Sequence, residues 1–503
     1  MTSYPVLLTS NHRGQAMNKF VSTLSNVTHT ENLMPTYKSS GNACLDLFYR
    51  IGNRKNTATD GTVNLLANAE AALAENFTLA VKIIGWSRSV RDGAGVRENM
   101  RSILDKELIP LNKVDFSWFI DQGYWKDIFY FAPDKVRDTV IAMIAGQLEA
   151  GSNLAKKWHP RKKKRNPNHK NSRWFMRTRT FMGLSERDFR KILSSYNTVE
   201  TAMCANNWDK IDYSTVPSVS MLRNKKQFEK HDKERFTEFG AKAVVEAKEG
   251  IKSVKAGAIY PHEIAKSVIT NGDGWRSKGS VIGNQAAKDI AIAQWLSLPD
   301  KFSTDKKILV MGDTSGSMTM GDGDAMYISK SLSVYCAERI TGAFHNFCMT
   351  FSTTPKFHRF TDEQTFIEKY MSMEDIIADT NIERAMDTIL QFSVRNKVPA
   401  EDMPDMLLII SDMQFNEGTT DKSLNAQAMF EKQYRNAGYA MPVIVYWNVR
   451  NSTGVPVRDE DTGVALFSGA SPNSIRQAIE GEMNPVSAMM RVVNREEFYF
   501  LIN

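Results

Sequence analysis

The feature that most constrains this chain is a change of pattern at Lys306. Before it, apolar residues recur at helical spacing. After it, short and almost wholly apolar runs at 308–311, 344–352, 406–410 and 443–447 alternate with amphipathic stretches at about 325–341, 382–392 and 424–436. Strands that are apolar on both faces need cover on both faces, and strands separated by helices pair in parallel. Residues 301–503 therefore read as a doubly wound α/β domain, with a boundary near 299–305.

The 503-residue length is too great for one ordinary domain. Residues 1–30 are polar and weakly patterned, an expected flexible arm, and residues 31–300 read as an α-helical repeat domain. Helices are expected over 43–51, 62–74 and 77–90, and another is expected to start at Asp134. The stretch 158–180 breaks this pattern and reads as a basic loop, assigned 156–181. No run approaches the ~18 apolar residues of a membrane span. The N-terminus lacks a basic start and long apolar stretch, and four cysteines (Cys44, Cys204, Cys336, Cys348) are widely spaced. These features point to a cytoplasmic protein with reduced thiols and no membrane partner.

Charge is unevenly placed. Residues 156–191 hold 14 Lys/Arg against 2 Asp/Glu, so the rest of the chain, with the whole at +7, carries −5. Within the segment stand Arg161, Lys162, Lys163, Lys164, Arg165, Lys170, Arg173, Arg177 and Arg179, interleaved with Trp158, His159, Trp174, Phe175 and Phe181. Cations neutralise phosphates, and aromatic rings stack on unpaired bases, so these nine cations are the candidate nucleic-acid residues. The competing reading is a solvated loop whose Trp174 and Phe175 plug into the helical domain. A third is recognition of the basic run by an import carrier or an acidic partner.

The run at 308–311 ends in Gly-Asp313-Thr-Ser315-Gly-Ser317; Thr380 precedes a helix, and Asp412 follows another buried strand. Ligands of open α/β sheets bind beyond the carboxyl ends of the strands. Asp313, Ser315, Ser317, Thr380 and Asp412 offer hard oxygens, which suit Mg²⁺, Mn²⁺ or Ca²⁺. Taken alone, the first motif reads as a polar turn with helix-capping residues; the three features together, in order at strand ends, favour the cation. The neighbouring Gly321-Asp-Gly-Asp324 reads as a solvated loop.

Several words of sequence agree in order with one group of von Willebrand A proteins of plants, fungi and large DNA viruses. They include SGNACLDLF (40–48), AKKWHP (155–160), AGAIYPHEI (256–264), TNIERAM (380–386), MPDMLLIISDMQF (403–415), GYAMPVIVYWNVR (438–450) and GVALFSG (463–469). The chain resembles that group over about 31–479, and the group is similar in layout to the TROVE-domain (Ro ribonucleoprotein) family. The resemblance implies HEAT-like helices joined to a von Willebrand A domain with a metal-ion-dependent adhesion site at the five residues named. It further implies RNA as partner, as single-stranded ends or a small structured RNA. The alternative is an assembly module whose cation grips an acidic residue of a protein partner.

No catalytic set emerges. Eight histidines are scattered without metal-ligand spacing, and neither a Walker loop nor Gly-x-Ser-x-Gly occurs. A non-enzymatic role is expected.

Overall fold

The computed structural model describes residues 26–53, 65–272, 279–319, 323–351, 355–373, 381–416, 426–450 and 454–502. The expected change of architecture is present: a helical N-terminal region is followed by an α/β region with one mostly parallel sheet. Six strands build that sheet: β1 (Ile308–Asp313), β2 (Phe347–Phe351), β3 (Lys356–Arg359), β4 (Met406–Ser411), β5 (Val443–Asn448) and β6 (Val464–Ser468). They lie in the order β6-β5-β4-β1-β2-β3, and all neighbours are parallel except β2 and β3. Every residue of β1 and β4 is buried, as their apolar composition requires. The chain passes from β1 to β2 on one side and later enters β4 on the other, so the sheet's switch point lies between β1 and β4.

Two strands go beyond the sequence expectation. β3 is a short, mostly exposed edge strand (Lys-Phe-His-Arg) with no apolar alternation to mark it. β6 is wholly buried, but no helix among the described residues separates it from β5, so the strand–helix alternation that exposed the others is missing.

In the N-terminal region the principal helices span Ala43–Ile51, Leu65–Glu75, Phe77–Arg88, Glu98–Asp105, Asp138–Glu149, Asn153–Trp158, Lys170–Phe181, Glu186–Ser194, Ser218–His231, Lys233–Lys248, Pro261–Val268 and Gln285–Leu296. Asparagine side chains start three of them, Asn42, Asn76 and Asn284 accepting from the amides of Leu45, Leu79 and Ala287 at 2.8, 3.1 and 3.0 Å. Asp134 does not begin a long helix. It sits in a 3₁₀ turn, Pro133–Lys135, and the α-helix starts at Asp138.

The expected basic loop is also corrected, because Lys170–Phe181 is helical. Its charges hide the periodicity: Trp174, Phe175 and Thr178 form the buried stripe, and the Trp174 indole donates to the Phe131 carbonyl at 2.8 Å. Within the segment read as an arm, Val27–His29 pairs antiparallel with Pro35–Tyr37. Thr30 and Asn32 then donate to the carbonyls of Phe415 and Gln414 at 2.6 and 2.7 Å, latching this segment onto the loop after Asp412.

One hydrophobic core runs through both regions. Phe48 and Trp86 (centroids 4.7 Å apart) continue through Phe467 (6.0 Å from Trp86) to Trp447 (5.2 Å from Phe467). Close approach makes this possible: a Cβ added at Gly85 would lie 1.9 Å from the Phe498 carbonyl oxygen. The sequence change near Pro299 thus divides kinds of element without dividing the core. A smaller cluster around Tyr213, Phe228, Phe236 and Ile290 holds the helices after residue 199. The four cysteines are free, with Cys44, Cys336 and Cys348 buried. Among the described residues, no helix is long and apolar enough to cross a membrane.

Candidate metal centre and nucleic-acid interface

The switch point brings the two aspartates together. β1 delivers Asp313 at its carboxyl end, and β4 delivers Ser411 and then Asp412 beside it; all three are fully buried. Gly312 permits the covering helix Asp324–Ala337 to approach, since a Cβ there would meet the Ser333 hydroxyl at 2.4 Å. The turn after β1 folds onto its own aspartate, with the Ser315 amide donating to Asp313 Oδ1 at 2.9 Å. Ser411 Oγ donates to Asp313 Oδ2 at 2.5 Å. Across the crevice Ser317 Oγ donates to Asp412 Oδ1 at 3.3 Å and lies 3.1 Å from Ser315 Oγ.

Asp412 Oδ1 also accepts from the Gln414 amide at 3.2 Å, whereas Oδ2 accepts no hydrogen bond among the described residues. The Arg450 guanidinium, following β5, lies 3.6 Å from that Oδ2 and donates to the Ser317 carbonyl at 3.0 Å. Between them the backbone is strained: Met413, next to Asp412, has φ +62, a left-handed conformation that side chains disfavour. Burial pushes the Asp313 carboxyl well above its ordinary range, and the neighbouring Asp412 adds to it. Burial likewise raises Asp412, with Arg450 opposing.

Two buried carboxylates, two hydroxyls and one oxygen without a hydrogen-bond donor among the described residues form a set that a hard divalent cation fits and that Arg450 alone only partly neutralises. Asp313, Ser315, Ser317 and Asp412 are thus brought together, while Thr380 and the turn residues 321–322 lie outside the described residues. Sequence reasoning missed Ser411 and Arg450. The Ile-Ser-Asp end of β4 signals Ser411 in hindsight, but nothing local marks Arg450.

The nine basic candidates divide. Arg161 donates to the carbonyls of His159, Lys156 and Leu193 at 2.5, 3.0 and 2.6 Å, stitching its own segment. Lys162 pairs with Glu186 at 2.6 Å, Arg173 with Asp134 at 2.5 Å and Arg177 with Asp138 at 2.6 Å. Arg177 also donates to the Pro133 carbonyl, and Lys170 to that of Tyr130 at 2.5 Å. Arg179 is half-buried. Lys163, Lys164 and Arg165 remain, exposed and consecutive, with no side-chain partner among the described residues. The buried Trp174 and Phe175 belong to the core, as the competing reading has it.

The family model described as "Domain of unknown function (DUF2828)" matches residues 30–181 and 137–307. These spans cover more than half of the chain, and the chain belongs to that family. A second model, "Domain of unknown function (DUF7788)", matches residues 307–497. An uncharacterized protein of Acanthamoeba polyphaga mimivirus, L728, is 26% identical over 528 residues, covering 93% of this chain and 88% of that protein. Among solved structures, the Ro (RSR) protein of Deinococcus radiodurans aligns with a TM-score of 0.40 at 14% identity, covering 90% of this chain and 99% of that one.

Proposed function

We propose that this member of the DUF2828 family is a non-enzymatic RNA-binding protein whose α/β region is a von Willebrand A-type domain holding a divalent cation. The observation that carries the RNA reading is the exposed run Lys163-Lys164-Arg165, three consecutive cations without a side-chain partner among the described residues, whereas five of the other six candidates are held by carboxylates or carbonyls. Three adjacent cations without side-chain partners among the described residues release counterions when they meet a phosphodiester backbone. Asp313, Ser315, Ser317 and Asp412 would hold Mg²⁺ or Mn²⁺, with Ca²⁺ a further fit to the same oxygens. A bound cation supplies positive charge and an open position for an anionic oxygen. The serine hydroxyls face carboxylates and each other, with no histidine base beside them among the described residues, which supports binding over nucleophilic catalysis.

The test is RNA binding measured across salt. Wild type should bind with a steep salt dependence, and the Lys163→Ala, Lys164→Ala, Arg165→Ala variant should lose about 2 from the slope of log affinity against log salt. No binding by the wild type at low salt would overturn the reading. A second reading is favoured by Arg450, which places a positive charge beside the open oxygen of Asp412 and so suits a partner's carboxylate. In that case Asp313→Ala abolishes capture of an acidic protein partner and leaves RNA affinity unchanged.

A further inference from the structure

A second basic cluster lies outside the nine candidates, assembled from four separate elements. Arg97 stands at the N-terminus of helix Glu98–Asp105, Lys126 in the short helix Trp125–Ile128, Lys157 in Asn153–Trp158, and Arg223 in Ser218–His231. Two aromatic rings seat three of them. The Lys126 ammonium lies 4.0 Å from the centroid of the Trp158 ring, Lys157 lies 5.2 Å from the same ring, and the Arg97 guanidinium lies 5.8 Å from the Tyr124 ring. Tyr124 and Trp158 are themselves in contact, 5.3 Å between centroids, and both are half-buried. Partial burial lowers the Lys126 ammonium most, and the charges of Arg97, Arg223, Arg101 and Lys157 lower it further, so Arg223 acts electrostatically on the same site.

The local carboxylates neutralise Lys157 and leave the other three cations unpaired among the described residues. Asp127 is taken by Arg88 at 2.7 Å and Arg101 at 2.6 Å, and Glu200 by Lys157 at 2.8 Å. Arg97, Lys126 and Arg223 are exposed and have no carboxylate or carbonyl partner among the described residues. A merely solvated surface lets such side chains splay apart. Here two of the three are seated on rings, and the mutual repulsion is built in. A ligand carrying several negative charges relieves that repulsion, and cations interleaved with aromatic side chains are the composition of single-strand sites.

We propose that Arg97, Lys126 and Arg223 form a second phosphate-binding site, which grips the backbone of single-stranded RNA beside the Tyr124–Trp158 pair. This rests on the RNA-binding reading above and adds a second surface to it. The experiment uses the full chain and a fluorescein-labelled uridine oligonucleotide, with affinity followed by anisotropy across salt. The Arg97→Ala, Lys126→Ala, Arg223→Ala variant is expected to bind roughly tenfold more weakly near physiological salt and to lose about 2 from the salt slope. Arg223→Ala alone should weaken binding by roughly threefold at one phosphate. A charge-matched control, Lys248→Ala, Lys252→Ala, Lys255→Ala, removes exposed cations elsewhere and should stay near wild type.

The proposal is overturned if the triple variant binds like wild type, or loses no more than the control. If the wild type binds, the Lys163–Arg165 variant loses affinity and this variant does not, the second site alone fails. If the wild type binds no RNA, both readings fall. All three substituted side chains are exposed, and unchanged circular dichroism and melting midpoint confirm that a loss is a binding loss.

Discussion

Replacing Asp412 with Asn separates the two consequences of a buried carboxylate pair. Without metal, Asp313 and Asp412 are both fully buried, with one oxygen lacking a hydrogen-bond donor among the described residues, and burial raises both carboxyls above their usual range. The amide of Asp412→Asn keeps an oxygen to accept from the Gln414 amide and Ser317 Oγ, now at 3.2 and 3.3 Å, while removing a charge. Arg450, 3.6 Å away, loses its anion and limits the gain. In chelator the variant should therefore be more stable than wild type by about 1 kcal/mol. With Mg²⁺ or Mn²⁺ at about a hundredfold excess over Kd, the wild type gains about 2.7 kcal/mol and the variant gains little. The order of stabilities inverts between the two conditions. Urea unfolding followed by tryptophan fluorescence, in EDTA and in each cation, reads both signs. A wild-type midpoint indifferent to Mg²⁺, Mn²⁺ and Ca²⁺, or a variant that gains as much as wild type, would refute the cation-site reasoning.

Two further predictions concern the helical region. Asp127 is fully buried and accepts from Arg88 at 2.7 Å and Arg101 at 2.6 Å, so Asp127→Asn leaves the buried Arg88 guanidinium without its anion. Urea unfolding should show a loss of about 3–5 kcal/mol, and a loss below about 1 kcal/mol contradicts the account. His159 is held neutral: Nδ1 faces the Pro160 carbonyl at 2.9 Å, Nε2 lies 3.0 Å from Thr178 Oγ1, and burial, with a lesser push from Arg161, lowers its pKa to about 3. Since the ordinary value is about 6.5, its stabilising contribution is complete above that pH and is lost as pH falls from there toward 3. About 2 kcal/mol should go by pH 5. His159→Gln should flatten the decline between pH 7 and 5, and equal slopes in the two proteins would contradict the assignment.

The sequence by itself determined the kinds of element and their order. Wholly apolar runs and helical periodicity are local properties, so β1, β4, β5 and the helices between them were legible, as were Asp313, Ser315, Ser317 and Asp412 at strand ends. β3 and β6 were not, because an exposed edge strand has no pattern and a buried strand without a neighbouring helix resembles any short apolar run. Tertiary structure decided the rest. Which cations of the basic segment stay open depends on where Glu186, Asp134 and Asp138 come to lie. Arg450 reaches Asp412 only because β5 ends beside β4, and the charges of Arg97 and Arg223 reach Lys126 only because separate stretches of chain fold together there. Local pattern fixes what a residue can be, but charge pairing between distant segments is set by packing, which no window of sequence contains.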